Sequence, residues 1–138
     1  MDVTLLLSDH AEAINGKLYV MGGGWTVLYA ADRPVNVSVA AIVAVPWDET
    51  NRRHKIGLEL LDGEGSPVEI EGQAVALGGE FEVGRPPGVK PGTSFNTPFV
   101  WNVAGLTLAE GTYEWKLLLD GEPQASRAFV VTTPPLSA

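Results

Sequence analysis

The sequence has 138 residues, a formal net charge of −8 and no cysteine. The length fits one domain, which we place over residues 1–138. The charge disfavours nucleic acid as a partner because a phosphate backbone would be repelled, and the lack of cysteine excludes disulfides, thiolate metal ligands and a thiol nucleophile. Since no stretch approaches the roughly 20 apolar residues of a membrane helix, we also expect no membrane partner.

The first element is a short apolar run in MDVTLLLSDH. An acidic second residue and the shortness of the run favour a first β-strand over a secretory signal, so we expect a cytoplasmic protein. Asn15-Gly16 follows and is the strongest short signal for a two-residue hairpin turn. The structural role of Gly16 is therefore to supply a turn with positive φ.

Asp9, His10 and Glu12 lie between these two signals. Their side chains are of the kind that bind divalent ions, and a metal-dependent enzyme could be built around them. Successive strand residues point to opposite faces, however, so Asp9 and His10 would diverge unless a turn intervenes. We predict a polar turn here and assign no metal.

The next feature is Gly22-Gly23-Gly24, followed by Trp25. Neither the Rossmann spacing nor the Gly-Lys-Ser/Thr of a P-loop is present, and residues 25–29 are typical of a strand rather than of a helix start. We therefore assign these residues a structural role. The glycines allow a bulge or a close backbone crossing, and Trp25 anchors the chain.

Alternation of apolar and polar residues dominates the rest of the chain, as antiparallel strands require. Residues 35–45 are apolar on both faces and predict a central strand. Alternating segments follow at residues 54–61, 80–83, 95–103 and 112–119. The proline- and glycine-rich residues 85–92 predict an extended surface crossing.

Residues 108–113, LAEGTY, have the L-x-x-G-x-Y spacing of a tyrosine corner. In Greek-key sandwiches the hydroxyl of such a tyrosine bonds to upstream backbone. Gly111 permits the corner, Tyr113 supplies the hydroxyl, and Trp115 takes the core position that a cysteine has in antibody domains. We predict an all-β, antiparallel, immunoglobulin-like Greek-key sandwich, with a jelly roll as the alternative.

The loop PWDETNRRH is the leading candidate for binding, because an aromatic residue beside arginines is typical of interface hot spots. Its alternative role is structural: Trp47 covers the core edge while the charges pair in water. An enzyme built on the span from Asp48 to His54 is a further alternative. The predicted binding residues are Trp47, Asp48, Glu49, Arg52, Arg53 and Arg85.

No pattern of residues indicates nucleophilic catalysis, and we assign no catalytic residue and no cofactor. The leading hypothesis is a non-enzymatic interaction or assembly module that binds a protein partner or itself as a homo-oligomer, since exposed sheet edges need cover. The alternatives are the small enzyme described above and a structural subunit of a phage-like or other large assembly.

The segments GKLYVMGGGW and WDETNR carry a resemblance that extends over nearly the whole chain. The sequence resembles a family of small bacterial proteins of unknown function, common in actinobacteria. The resemblance implies a bacterial, cytoplasmic β-domain protein and transfers no catalytic residue.

Overall fold

A computed structural model describes residues 1–135. Within that range most residues lie in β-strands, as the alternating pattern predicts. The strands are β1 (Asp2–Ile14), β2 (Lys17–Gly23), β3 (Val27–Leu28), β4 (Val35–Val45), β5 (Arg53–Asp62), β6 (Glu69–Ile70), β7 (Gln73–Ala74), β8 (Ala76–Glu82), β9 (Phe95–Leu106), β10 (Gly111–Leu119) and β11 (Glu122–Val131). One turn of 3-10 helix, Trp47–Glu49, joins β4 to β5. No helix among these residues is long and apolar enough to cross a membrane.

The strands form two packed sheets and one small ribbon. The first sheet has the order β2-β1-β4-β9 and the second the order β3-β11-β10-β5-β8, while β6 and β7 pair with each other. Neighbouring long strands are antiparallel, and the two-residue β3 runs parallel to β11. The predicted antiparallel β-sandwich is confirmed, and so is the central position of β4.

The core lies between the inner faces of the two sheets. Alternate residues of β4, β5 and β10 supply it, because only one face of each strand meets the opposite sheet. Trp115 and Phe129 are its largest fully buried side chains, and Trp25 packs edge-on against Phe129 at 5.7 Å between ring centroids. The strand expected over residues 25–29 is shorter than predicted, since only Val27–Leu28 reaches the end of β11.

The tyrosine-corner contact is present at the start of β10. Gly111 opens the strand, and the Tyr113 hydroxyl donates to the Ala109 carbonyl at 2.8 Å. The Tyr113 ring stacks on Phe129, with 5.7 Å between ring centroids. The contact has the geometry that the LAEGTY spacing predicts, while an immunoglobulin-like strand topology stays a prediction.

The β1–β2 hairpin closes through Asn15 and Gly16, whose φ angles of 52° and 72° are those of a type I′ turn. The hairpin register pairs Ala11 with Val20. The prediction of a polar turn around His10 is wrong, because β1 continues unbroken to Ile14.

This hairpin folds back over the outer face of the first sheet. β2 contacts β4 and β9, two strands with which it does not pair. The outer-face residues Ser8, Ser38 and Ala40 are at most 2% exposed, and so is Ala11 of the hairpin. Small side chains on both surfaces allow the two layers to approach closely, and the Ser8 hydroxyl is satisfied by donating to the Ser38 carbonyl at 3.3 Å.

The three consecutive glycines lie where the hairpin rejoins the sheet. Gly22 and Gly24 have φ angles of 64° and 87°, which L side chains rarely adopt. A Cβ on Gly23 would lie 2.7 Å from Val20 Cγ1 and 3.1 Å from Leu6 Cδ2. Gly22 and Gly24 therefore need the left-handed conformation, and the surroundings of Gly23 leave no space for a side chain.

We predict that Gly23→Ala destabilises the protein by about 1–3 kcal/mol, because the added methyl group must displace Val20 or Leu6. Urea denaturation measures the change in the free energy of unfolding. The matched control is Gly79→Ala in β8, where an added Cβ meets nothing within 4 Å and the expected change is within about 0.5 kcal/mol. Equal effects of the two substitutions would refute the steric explanation.

Candidate functional site

The loop between β4 and β5 is a compact turn that is braced from inside. The Trp47–Glu49 helical turn leads into Thr50, which is 4% exposed. The Thr50 hydroxyl donates to the Trp47 carbonyl at 2.6 Å, and the Glu49 amide donates to the Pro46 carbonyl at 2.9 Å. These bonds hold the loop in a compact turn.

Arg85 joins the predicted surface crossing to this loop. Its guanidinium carbon lies 4.0 Å from the centroid of the Trp47 ring, a cation–π contact. Its Nε donates to Thr50 Oγ1 at 2.7 Å and its Nη2 to the Trp47 carbonyl at 2.8 Å. Trp47 also stacks on Phe95 at 6.2 Å between ring centroids. Trp47 and Arg85 therefore stabilise the fold locally, whatever else they bind.

The other predicted binding residues are mostly occupied by contacts within the chain. Arg52 pairs with Glu49, and Arg53 lies 3.6 Å from Glu80 of the neighbouring strand β8. Exposed pairs of this kind contribute only about 0–1 kcal/mol each. Asp48 is exposed. The structure thus brings the predicted set to one end of the sandwich, and their role in binding stays a prediction.

His54 is the buried polar residue at the centre of this end, with 4% of its side chain exposed. Its Nδ1 lies 2.8 Å from Asp120 Oδ2 and its Nε2 2.8 Å from the Glu49 carbonyl oxygen. Carboxylate and carbonyl oxygens only accept hydrogen bonds, so both ring nitrogens must carry protons to make both bonds. The two acceptors thus favour the protonated ring, which lies 5.4 Å from the ring of Phe81.

The pKa values of the pair shift as this geometry requires. Burial alone lowers the pKa of His54, but the hydrogen bonds to Glu49 and Asp120 and the two nearby carboxylates outweigh it, so the pKa rises above 6.5. The hydrogen bonds from His54 and from the Lys55 amide lower the pKa of Asp120 below its ordinary value. Each group therefore stabilises the charged form of the other.

These contacts form a clamp, which we define as His54, Asp120 and the Glu49 carbonyl. It ties the β4–β5 loop and β5 to the β10–β11 turn, where Asp120 and Gly121 have positive φ. The alternating pattern of β5 and β10 does not reveal the contact of Asp120 with a histidine 66 residues away. No local signal in the sequence could have shown that pairing.

Open cavities lie beside both histidine regions, and they are separate. One of about 350 Å³ is lined by Asp48, Glu49 and Asp120, among others. Another, of about 220 Å³, is lined by Asp9, His10 and Ser38, among others. His10 is exposed in the hairpin, 3.4 Å from Glu12 Oε1. Among residues 1–135, no three histidine or acidic side chains are grouped so as to hold a metal ion.

We predict that Asp120→Asn lowers the free energy of unfolding by about 1–2 kcal/mol near pH 5.5, since it weakens a charge-assisted bond whose carboxylate is half-exposed. Because the pKa of His54 is raised in the folded state, protonated His54 stabilises the fold fully below pH 6.5, and this contribution is lost as the pH rises through the raised pKa. Because the pKa of Asp120 is lowered, its carboxylate contributes stability above pH 3.8. The loss should therefore shrink by about pH 9.

Urea titrations at the two pH values test this, with Asp48→Asn as the control because Asp48 is an exposed carboxylate of the same loop. A loss for Asp120→Asn that does not change with pH would contradict the raised pKa of His54.

Comparison with known proteins gives a family and no activity. No curated protein matches the chain, and no solved structure matches it. The model of DUF6941, described as a family of unknown function, matches residues 3–132. Because that match covers nearly the whole chain, the protein belongs to the DUF6941 family, which confirms the expected membership of an uncharacterised family.

Proposed function

We propose that the protein is a non-enzymatic interaction module that binds a protein partner through the β1–β2 hairpin. The observation that supports this is a row of large apolar side chains directed into solvent. Ile14 is 47% exposed, Tyr19 52% and Met21 67%. We call this row, together with the intervening His10, Glu12 and Lys17, the outer hairpin face.

The register of the hairpin explains why these side chains share one surface. Tyr19 pairs with Glu12 and Met21 with His10, so their side chains point to the same side of the ribbon. The alternate residues, among them Ala11 and Val20, point toward the first sheet and cover it. The outer hairpin face is thus the side of the ribbon that the fold itself does not use.

The composition of this face suits binding of another protein. Tyrosine and methionine are enriched at protein interfaces. A tyrosine presents a large area at a small cost in side-chain entropy, and removal of apolar area from water contributes roughly 25 cal/mol per Å². The face carries one formal negative charge, on Glu12 beside His10, and one formal positive charge, on Lys17. A partner with complementary charges at these two positions can cover it.

The proposal places the primary contact on the hairpin rather than on the β4–β5 loop. Arg85 and Trp47 are already engaged with each other and with Thr50. A partner would have to break those contacts to use the same groups. The outer hairpin face needs no such rearrangement, and the loop remains a secondary candidate.

The enzyme alternative draws no support from the geometry of the described residues. His10 lies in the first sheet's hairpin and His54 is buried in β5 of the second sheet, so the two do not share a cavity. The Ser38 hydroxyl, which lines the cavity beside His10, donates its proton to Asn102 Oδ1 rather than to a histidine.

We further infer that this is a single-domain protein of the actinobacterial cytoplasm. The inference rests on the resemblance of its GKLYVMGGGW and WDETNR segments to a family of small bacterial proteins.

Site-specific photo-crosslinking in the native cells tests the proposed function. A photoreactive amino acid at Tyr19 should yield a discrete protein adduct, because that side chain lies at the centre of the outer hairpin face. The control is the same amino acid at Gln73, an exposed residue of β7 in another part of the molecule. An absence of adducts at Tyr19, or equal adducts at both positions, would refute the proposed surface.

A further inference from the structure

We infer that the partner bound by the hairpin is a second copy of this chain, joined to the first by antiparallel pairing of β2 with β2, which brings the Tyr19 and Met21 side chains of the two outer hairpin faces into contact with each other. This inference rests on the proposed function and adds the identity of the partner. It starts from the position of β2, which lies at the end of the first sheet and, within residues 1–135, pairs with β1 alone. Edge strands are the natural templates for strand addition.

The hairpin geometry fixes which backbone groups of β2 are available. A two-residue turn makes Ile14 and Lys17 a hydrogen-bonded pair. Because such pairs alternate along an antiparallel ladder, the backbone N–H and C=O groups of Tyr19 and Met21 point toward β1. The N–H and C=O groups of Leu18 and Val20 consequently point away from β1. Among residues 1–135, neither Leu18 nor Val20 makes a backbone hydrogen bond outside the hairpin.

If a twofold axis passes beside Val20, the outward N–H and C=O groups of β2 pair with the same groups of the second copy. Val20 exchanges two hydrogen bonds with Val20 of the second copy. The neighbouring pair then places Tyr19 opposite Met21 of the second copy, and the symmetry repeats the contact. This pair is of the non-hydrogen-bonded type, in which Cα atoms are about 4.5 Å apart and side chains are closest. Each exposed Tyr19 ring therefore contacts the Met21 sulfur of the other copy, which gives two sulfur–aromatic contacts.

Charge favours β2 over β8 for such self-pairing, and the other edge of the second sheet, β3, has only two residues. In a chain of net charge −8, β2 carries one charged residue, Lys17, which this register places opposite Gly23. The β8 edge carries the exposed carboxylates of Glu80 and Glu82, which self-pairing would bring together. The β9 edge contains Pro98, which lacks a backbone donor.

The predicted dimer is a weak one. A short strand pair and four side chains cover less than the roughly 1,600 Å² of a standard interface. The dissociation constant should therefore be on the order of 1–100 μM, and the monomer–dimer equilibrium should be visible over the concentration range of an ordinary sedimentation experiment.

Sedimentation velocity of the full chain with two double variants tests both dimer and register. Tyr19→Glu/Met21→Glu places two carboxylates opposite each other twice, whereas Tyr19→Glu/Met21→Lys places a carboxylate opposite an ammonium group twice. Wild type should dimerise most strongly, and the Glu/Lys variant should dimerise at least about tenfold more strongly than the Glu/Glu variant. Equal dissociation constants for the two variants, or a wild type that stays monomeric at about 500 μM, would overturn the inference.

A second measurement does not depend on the folding of the charged variants. The chain has no cysteine, so Tyr19→Cys and Met21→Cys introduce single thiols. The register predicts that an oxidised mixture of the two variants forms a mixed disulfide faster than either variant forms its own, because positions 19 and 21 are opposite each other. Equal rates would exclude this register. A monomeric wild type that still gives a Tyr19 photo-adduct with another protein would overturn the self-association and leave the proposed function standing.

Discussion

The close approach at Gly22-Gly23-Gly24 is the constraint on which the rest of the molecule depends. A side chain at Gly23 would overlap Val20 and Leu6, and the flanking glycines adopt a conformation that other residues resist. Because the chain can pass so closely there, the β1–β2 hairpin folds back and covers the small residues of the outer face of the first sheet. The same fold leaves β2 as an edge strand and directs the side chains of Tyr19 and Met21 toward solvent.

The far end of the sandwich is organised by a different interaction. His54, with one ring nitrogen 2.8 Å from Asp120 and the other 2.8 Å from the Glu49 carbonyl, ties three segments of chain together, and Arg85 stacked on Trp47 adds a fourth. These groups look like functional residues in the sequence because aromatic, cationic and acidic side chains cluster there. In the structure they satisfy one another. In the part of the chain that the structure describes, the large apolar side chains of the outer hairpin face stay exposed to solvent, which is why the proposed binding surface lies there.

Local patterns in the sequence sufficed for the fold class and for several of the long strands. Alternation predicted the antiparallel sandwich, Asn15-Gly16 predicted the hairpin turn, and LAEGTY predicted the Tyr113 contact. The folding back of the hairpin was not predictable, because the burial of Ser8 and Ser38 is decided by a second layer rather than by their neighbours in sequence. The Trp47–Arg85 and His54–Asp120 contacts were missed for the same reason, since they join residues 38 and 66 positions apart.

Amide hydrogen exchange along β2, followed by NMR at several protein concentrations, tests the central claim most directly. The structure predicts that the Tyr19 and Met21 amides, which bond to β1, are protected at every concentration. The Leu18 and Val20 amides should exchange rapidly in dilute protein and become protected as the concentration rises through the dimer range. Protection of Leu18 and Val20 in dilute monomer, or rapid exchange of both at every concentration, would contradict an open edge that pairs with its own copy.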